Sequence, residues 1–272
     1  MRDPVNKSID DFLKKKNLNF SIKKNNNVTV ITPTNSINNL NNILENFNRQ
    51  DLKEKELIII INNNKIDEYK WKNIVSEYEN IKVYKLSENI SLGRCLNFGI
   101  DNSKFDIIAK FDDDDYYGPK YLSDSIKAFD ETNAKLIGKG ATFVYMVGKK
   151  ILTIRNPLEE NKYTNFVNGS TLIFKKDVFK RVKFQDKNIA EDINFCDDCL
   201  KNRIKIYSTN RYHHVYFRYP NQSKHTWKIE DEKFLKLCCR PDQFEKHIEN
   251  MDQLKSYVDI DCGDNKYEKR CE

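Results

Sequence analysis

Short β-branched runs alternate with stretches of helical spacing along the first half of the chain. Val28-Thr29-Val30-Ile31 reads as a strand ended by Thr32-Pro33-Thr34, and Leu40, Ile43, Leu44 and Phe47 then repeat on one helix face. Leu57 to Ile61 reads as a buried strand broken by Asn62-Asn63-Asn64, after which Trp71, Ile74, Val75 and Tyr78 recur at helical spacing. A third strand runs from Ile81 to Leu86 and a helix from Gly93 to Ile100. Phe105 to Phe111 is a strand that leads straight into four aspartates. Alternation at this pitch predicts a mainly parallel sheet covered by helices on both faces, because parallel neighbours need crossover connections. Ligands on such sheets bind beyond the carboxyl ends of the strands. Three of those ends, Thr32-Pro33-Thr34, Asn62-Asn63-Asn64 and Asp112 to Asp115, carry short polar side chains, so the pattern describes a polar, acidic cleft.

The remainder is less regular. Ala141 to Val147 and Lys150 to Ile154 suggest a hairpin about Gly148, Ser170 to Phe174 another strand, Ile193 to Lys201 a helix and Ile204 to Ser208 a strand, which makes the sheet mixed. Ser8 to Lys16 reads as a short amphipathic helix with Ser8 as its cap, and the chain after Trp227 is charged and mostly helical. The division expected is an N-terminal helical appendage (1–26), a main domain (27–228) with halves at 27–118 and 119–228, and a C-terminal extension (229–272).

Composition narrows the class. With 272 residues, 39% hydrophobic and 32% charged, the chain can bury one large core. Its +6 charge comes from 47 basic and 41 acidic residues mixed together, and no helix carries a sustained basic stripe, which argues against nucleic acid as a partner. Leu57 to Ile61, the longest apolar run, is far short of the roughly 20 residues that cross a bilayer, and the N-terminus lacks a signal core. A cytoplasmic protein, at most peripheral to the inner face of the membrane, is expected. The 7 cysteines are odd in number and irregularly spaced, which suits reduced thiols, and Cys196 to Cys199 is one helical turn rather than a zinc ribbon. Asn is frequent throughout, and we read this as genome composition.

Two acidic sites carry the chemistry. Four adjacent carboxylates at Asp112 to Asp115 repel one another unless they are solvated or neutralised. Hard oxygen donors of this kind suit Mg2+ or Mn2+. A solvated acidic loop is the plain alternative, and its place after a buried strand favours the cation. Glu191-Asp192 opens a helix, where contact with the dipole is the ordinary explanation. In combination one site could supply the base and the other hold the cation that sugar transfer requires.

Taken in order, these motifs resemble those of the family-2 glycosyltransferases with the GT-A fold, over about Asn27 to Tyr212. That resemblance implies an α/β, Rossmann-like mixed and mainly parallel sheet flanked by helices, with a helical C-terminal extension. Residues 27–118 become the nucleotide-binding half and 119–228 the acceptor-binding half. Thr32, Pro33 and Thr34 resemble the loop that holds the nucleoside. Asn62 and Asn63 stand where the family has an Asp-rich, uracil-contacting turn, and the amide of Asn62 offers a different donor and acceptor pattern from the usual Asp. Ser91 to Gly99, with Arg94 and Asn97, resembles the segment that borders the nucleotide, with Arg94 toward the diphosphate. Asp112-Asp113-Asp114 resembles the DxD motif, in which Asp112 or Asp113 faces the ribose and Asp114 binds the metal. Asn168, Gly169 and Ser170 resemble the acceptor-side turn, and Glu191-Asp192 the ED motif, whose Asp is the base in inverting members.

Beyond that motif, Tyr212 to Pro220 and Ser223 to Trp227 read either as a lid over donor and metal or as a strand with a half-buried aromatic face. His225 is the candidate second metal ligand, and Arg218 and Lys224 are diphosphate contacts or plain surface cations. The function implied is an inverting, Mn2+- or Mg2+-dependent transfer from a nucleotide-diphosphate sugar, with UDP as nucleotide, to a hydroxyl of a glycan, lipid or protein acceptor in bacterial surface or spore glycan synthesis. A nucleotidyltransferase predicts a Gly-rich phosphate loop, which Thr32 to Asn35 does not resemble. The charged tail from Glu230 would pack on the core or on a second subunit of a homo-oligomer.

Overall fold

The computed structural model describes residues 26–220, 229–236, 238 and 244–261, so the stretch Ser8 to Lys16 and the loop Ser223 to Trp227, with Lys224 and His225, lie outside the described residues. The chain begins as repeated strand and helix: β1 (Val28–Thr34), α1 (Leu40–Asn48), β2 (Lys55–Ile61), α2 (Glu68–Ile74), β3 (Ile81–Lys85), α3 (Leu92–Asp101) and β4 (Ile107–Lys110). All four strands are parallel, in the order β3-β2-β1-β4. Side chains of β1 and β2 alternate between the faces. Val28, Val30, Leu57, Ile59 and Ile61 join one buried cluster with Leu40, Ile43, Phe47 and Trp71 of α1 and α2. Ile31, Ile58 and Ile60 join another with Leu96 and Ile100 of α3. Burial on both faces is why Leu57 to Ile61 is an unbroken apolar run.

After the aspartates come β5 (Tyr116–Tyr117), α4 (Tyr121–Ser125), α5 (Ala128–Glu131), β6 (Leu136–Gly138) and the hairpin β7 (Thr142–Met146) and β8 (Ile151–Arg155). β9 (Lys162–Thr164), a 3-10 turn at Gly169–Thr171, β10 (Ile173–Lys175), α6 (Glu191–Lys201), β11 (Ile206–Ser208) and β12 (His214–Arg218) follow. β10 runs antiparallel between β4 and β6 and extends the sheet to eight strands, β3-β2-β1-β4-β10-β6-β11-β9. The mixed sheet is therefore as the sequence predicts. Past residue 229 lie α7 (Asp231–Leu235), β13 (Glu245–His247) and α8 (Met251–Val258).

Three details differ from the sequence reading. α2 starts where the Asp67 side chain accepts the N–H groups of Tyr69 and Lys70, and it stops at Ile74, leaving Ile74 and Tyr78 exposed while Trp71 and Val75 reach the core. Ser170 begins no strand, because the N–H and hydroxyl of Thr171 both donate to the Asn168 carbonyl, at 2.9 and 2.7 Å, and close a turn. The C-terminal segment is not helical alone: β13 pairs with β8 in a second sheet ordered β13-β8-β7-β12-β5, and Phe234, Ile248, Leu254 and Val258 are buried. Among the described residues no helix is long and apolar enough to cross a membrane.

From β1 the chain moves outward to β2 and β3, then returns to β4 on the other side of β1. The crevice at such a switch point opens above the carboxyl ends of β1 and β4. Asp112 to Asp115 leave β4 at that place.

Candidate active site

The aspartates are clamped from several directions. Thr34, the last residue of β1, donates its hydroxyl to Asp113. α1 presents a stripe of amides: Asn42 donates to the carbonyls of Asp113 (2.9 Å) and Asp115 (3.1 Å), and Asn46 donates to the Asp115 carbonyl (2.9 Å) and accepts from the Tyr117 N–H (3.1 Å). Gln50, just past the end of α1, continues it, donating to Gly118 (2.9 Å) and accepting from Leu122 (3.1 Å). On the other flank, the Asp112 N–H donates to the Tyr117 hydroxyl, which donates to the Ser170 carbonyl, both at 2.7 Å. The ring of Tyr117 stacks on Phe111 at 3.7 Å. The acidic loop is thus tied to the turn that carries Gly169.

Crowding and burial act on the carboxyls. Burial, followed by repulsion from Asp115, Asp113 and Asp112, pushes the Asp114 carboxyl up to about 9. Asp113 is raised by burial against the opposing Thr34 hydrogen bond. Asp115 is fully buried and held well above the carboxylate range. It accepts from the Phe217 N–H (3.1 Å) and lies 3.4 Å from Nε2 of His214, which is 3.3 Å from the Ser170 hydroxyl. Burial, with the Lys139 charge, holds His214 down to about 3, so its imidazole is neutral.

Lys110 ends β4 and pairs with Asp112, its side chain 5% exposed. Burial alone would depress the ammonium, but Asp112, Glu191 and Asp192 outweigh it and raise the lysine above its ordinary value. The last two carboxylates open α6. Ala190 before them adopts a left-handed φ of 60°, a conformation that costs a non-glycine residue about 1–2 kcal/mol. Burial pushes the Glu191 carboxyl up to about 7. Asp192 lies over Gly169, where an added Cβ would come within 2.2 Å of its Oδ2.

Several of the expected ligand residues hold backbone segments in this structure. Asn97 gives both ends of its amide to Phe184, donating to its carbonyl (2.8 Å) and accepting its N–H (3.0 Å). The Asn168 amide donates to the carbonyls of Lys139 and Gly140. Ser170 turns inward to His214, and Thr32 is buried in the sheet with its hydroxyl unpaired. Asn62 and Asn63 stay at the rim, donating to the carbonyls of Ser87 (2.7 Å) and Asn35 (2.8 Å), and Pro33 is half-buried beside Thr34. Arg94 is 59% exposed and 3.9 Å from Asp186. Arg218 is neither a surface cation nor open to the cleft: it is buried on β12, paired with Asp231 (2.8 Å) and stacked over Phe234. The stretch from His214 is accordingly a strand.

The sequence reading missed Lys110 and the stripe Asn42, Asn46 and Gln50. A lone charge inside the apolar run Ile107 to Phe111 was the signal for the first, and polar residues four apart beside an apolar helix face were the signal for the second.

Among the described residues no group of three or more His, Cys, Asp or Glu side chains is arranged to hold a metal ion by itself. Mn2+ and Mg2+ need fewer, since they bind one or two carboxylates together with waters and substrate phosphates. The uncompensated carboxyl of Asp114 fits such an ion.

Residues 29–185 match the family described as Glycosyl transferase family 2. The amylovoran biosynthesis glycosyltransferase AmsE of Erwinia amylovora is 25% identical over 170 residues, 57% of this chain and 62% of AmsE, so the chain spans less than two thirds of that relative. Among solved structures, S. aureus TarS 1-349 in complex with UDP-GlcNAc aligns with a TM-score of 0.57 at 19% identity, covering 78% of this chain and 64% of that one. The mannosyltransferase PcManGT from Pyrobaculum calidifontis, in complex with GDP-Man and Mn2+, aligns at 0.54 and 15%, covering 70% and 56%. At these identities the two structures establish the fold. The family match runs over more than half of the chain, which therefore belongs to glycosyl transferase family 2.

Proposed function

We propose that this chain is an inverting glycosyltransferase that moves a sugar from a nucleotide-diphosphate donor, first of all a UDP-sugar, to an acceptor hydroxyl. One observation carries the reading: a clamped run of carboxylates at the β1–β4 switch point faces a second acidic pair, Glu191-Asp192, across the Gly169 turn. The donor would lie over Thr34, Asn62 and Asn63, with Asp112 and Asp113 toward its ribose. Asp114 would hold Mn2+ or Mg2+, with His225 as a second candidate ligand. When bound, the cation supplies charge that stabilises the departing diphosphate. Asp192 takes the proton of the attacking acceptor hydroxyl, and its place on Gly169 orients it.

The donor complexes of TarS and PcManGT, and the role of AmsE in amylovoran biosynthesis, support a nucleotide-sugar donor and a glycan product. We assign the chain to bacterial surface or spore glycan synthesis on the cytoplasmic side of the membrane, where nucleotide sugars serve as donors.

The test is release of free nucleotide from UDP-GlcNAc, other UDP-sugars and GDP-mannose with Mn2+. Asp114→Ala should abolish metal-dependent turnover, and Asp192→Asn should spare donor binding but lose transfer. A fully active Asp114→Ala enzyme refutes the assignment.

A further inference from the structure

The cleft contains a cation that belongs to the chain itself. Lys110 alternates along β4 with Ala109, which faces α1 and α2, and so points to the same side as Ile108. Ile108 packs in the cluster that contains Phe195 and Cys196 of α6. Lys110 is thereby aimed toward the helix that begins with Glu191 and Asp192, while its ammonium pairs with Asp112 on the donor side. One buried charge faces both acidic motifs.

A fold gains little from such a residue. Buried ion pairs replaced as a whole by apolar side chains of similar volume often cause no loss of stability, so a strand that is otherwise apolar has no need of a lysine and its carboxylate partner at this position. The ammonium instead does something an apolar chain cannot: it fixes the direction of the Asp112 carboxylate and offsets charge on the acceptor-side pair.

We propose that Lys110 is a positioning residue that couples the donor-side carboxylate Asp112 to the acceptor-side pair Glu191-Asp192, so that its loss weakens donor binding through the first and slows transfer through the second. This rests on the transferase reading.

Double-mutant cycles test it, using Lys110→Met, Asp112→Asn, Glu191→Gln and the two double variants that contain Lys110→Met. The readouts are UDP binding with Mn2+ by calorimetry, kcat for release of UDP from UDP-GlcNAc, and Tm. Lys110→Met should weaken UDP binding about tenfold in the wild-type background but less than about threefold beside Asp112→Asn. It should lower kcat about tenfold or more, and by clearly less beside Glu191→Gln. Its Tm should fall only moderately, because Asp112, the carboxylate left behind, is 35% exposed, and the kinetics are read well below that Tm. Lys110→Arg should restore part of both effects by returning the charge, and it serves as the probe if the Met variant does not fold.

A purely structural lysine would move Tm and leave the kinetics of the folded protein alone. Unchanged kinetics, or effects that multiply in both cycles, would overturn the proposal. A wild-type chain that neither binds UDP with Mn2+ nor turns over any nucleotide sugar brings down the transferase reading and this inference together. Wild-type turnover with independent effects brings down this inference alone.

Discussion

Gly169 lies directly beneath the carboxylate of Asp192, so close that a single methyl group on the glycine would occupy the place of Oδ2. No glycine in the described residues has a positive φ, so the demand here is for space and not for backbone freedom. Gly169→Ala must push Asp192 aside. A displacement of about 1 Å in a positioned catalytic group can cost a hundredfold in rate, so kcat should fall about a hundredfold while donor affinity, set on the far side of the cleft, stays within about twofold. Steady-state kinetics with calorimetry of UDP binding separates the two quantities, and equal loss of both would place the glycine in donor binding.

The amide stripe on α1 makes a prediction about stability. Gln50 is buried and serves Asn46, Gly118 and Leu122 at once. Replacing it with Leu leaves the buried Leu122 N–H unpaired, at about 1–3 kcal/mol, and takes one of two donors from the Gly118 carbonyl, which keeps the Tyr121 N–H. Urea unfolding should show a loss on the order of 2–3 kcal/mol. Asn42 is only half-buried and holds the loop on either side of Asp114. Asn42→Ala should therefore cost about 1 kcal/mol of stability yet weaken UDP binding in the presence of Mn2+. Reversal of that order would show that Asn42 supports the fold and Gln50 the ligand.

These residues show where the sequence was readable. A β-branched strand ending in four aspartates announces an acidic crevice, because the strand must be buried and adjacent carboxylates repel one another unless solvent or a cation relieves them. Helices and strands up to β4 followed from periodicity for the same reason, with α2 misjudged because its Asp67 cap, and not its apolar spacing, sets the boundary. The stripe Asn42, Asn46 and Gln50 was hidden by composition: in so Asn-rich a chain these amides look like background until α1 packs against the acidic loop. Asn97 and Asn168 went the other way. Both occupy motif positions, yet an amide answers equally well to a backbone segment or a ligand, and only the folded chain shows that Phe184, Lys139 and Gly140 claim them.

Glu191 gives the molecule a pH signature. Its carboxyl is raised to about 7 by burial, against the pull of Lys110 and with the help of Asp192, from an ordinary 4.5. The native state then binds the proton more tightly than the unfolded chain, so the stability Glu191 contributes is present below about pH 4.5 and is lost as pH rises toward 7. Glu191→Gln cannot titrate. The stability of the wild type relative to this variant should decline by on the order of 3 kcal/mol across that window and then level off. Chemical unfolding of both proteins at half-unit steps from pH 5 to 8 measures the difference, and a flat line would show that the buried carboxylate is ionised throughout.

Arg218 separates an electrostatic role from a structural one. As a diphosphate contact it would be exposed to the cleft and its removal would weaken donor binding without harming the fold. Its surroundings say otherwise: Nε donates to Asp231 at 2.8 Å, Nη2 donates to the Ile229 carbonyl, and the guanidinium lies 4.6 Å above the centre of the Phe234 ring. Those three partners come from one short segment, so Arg218 pins residues 229–235 to β12. Breaking a buried pair by removing one member typically costs about 3–5 kcal/mol, and the partial exposure of Asp231 places Arg218→Met toward or below the lower end of that range. The variant should lose roughly 2–3 kcal/mol in urea unfolding and be cut faster by protease after residue 220, with UDP affinity unchanged well below its Tm. Should affinity collapse while stability holds, the guanidinium reaches the diphosphate after all, and the strand β12 must move to let it.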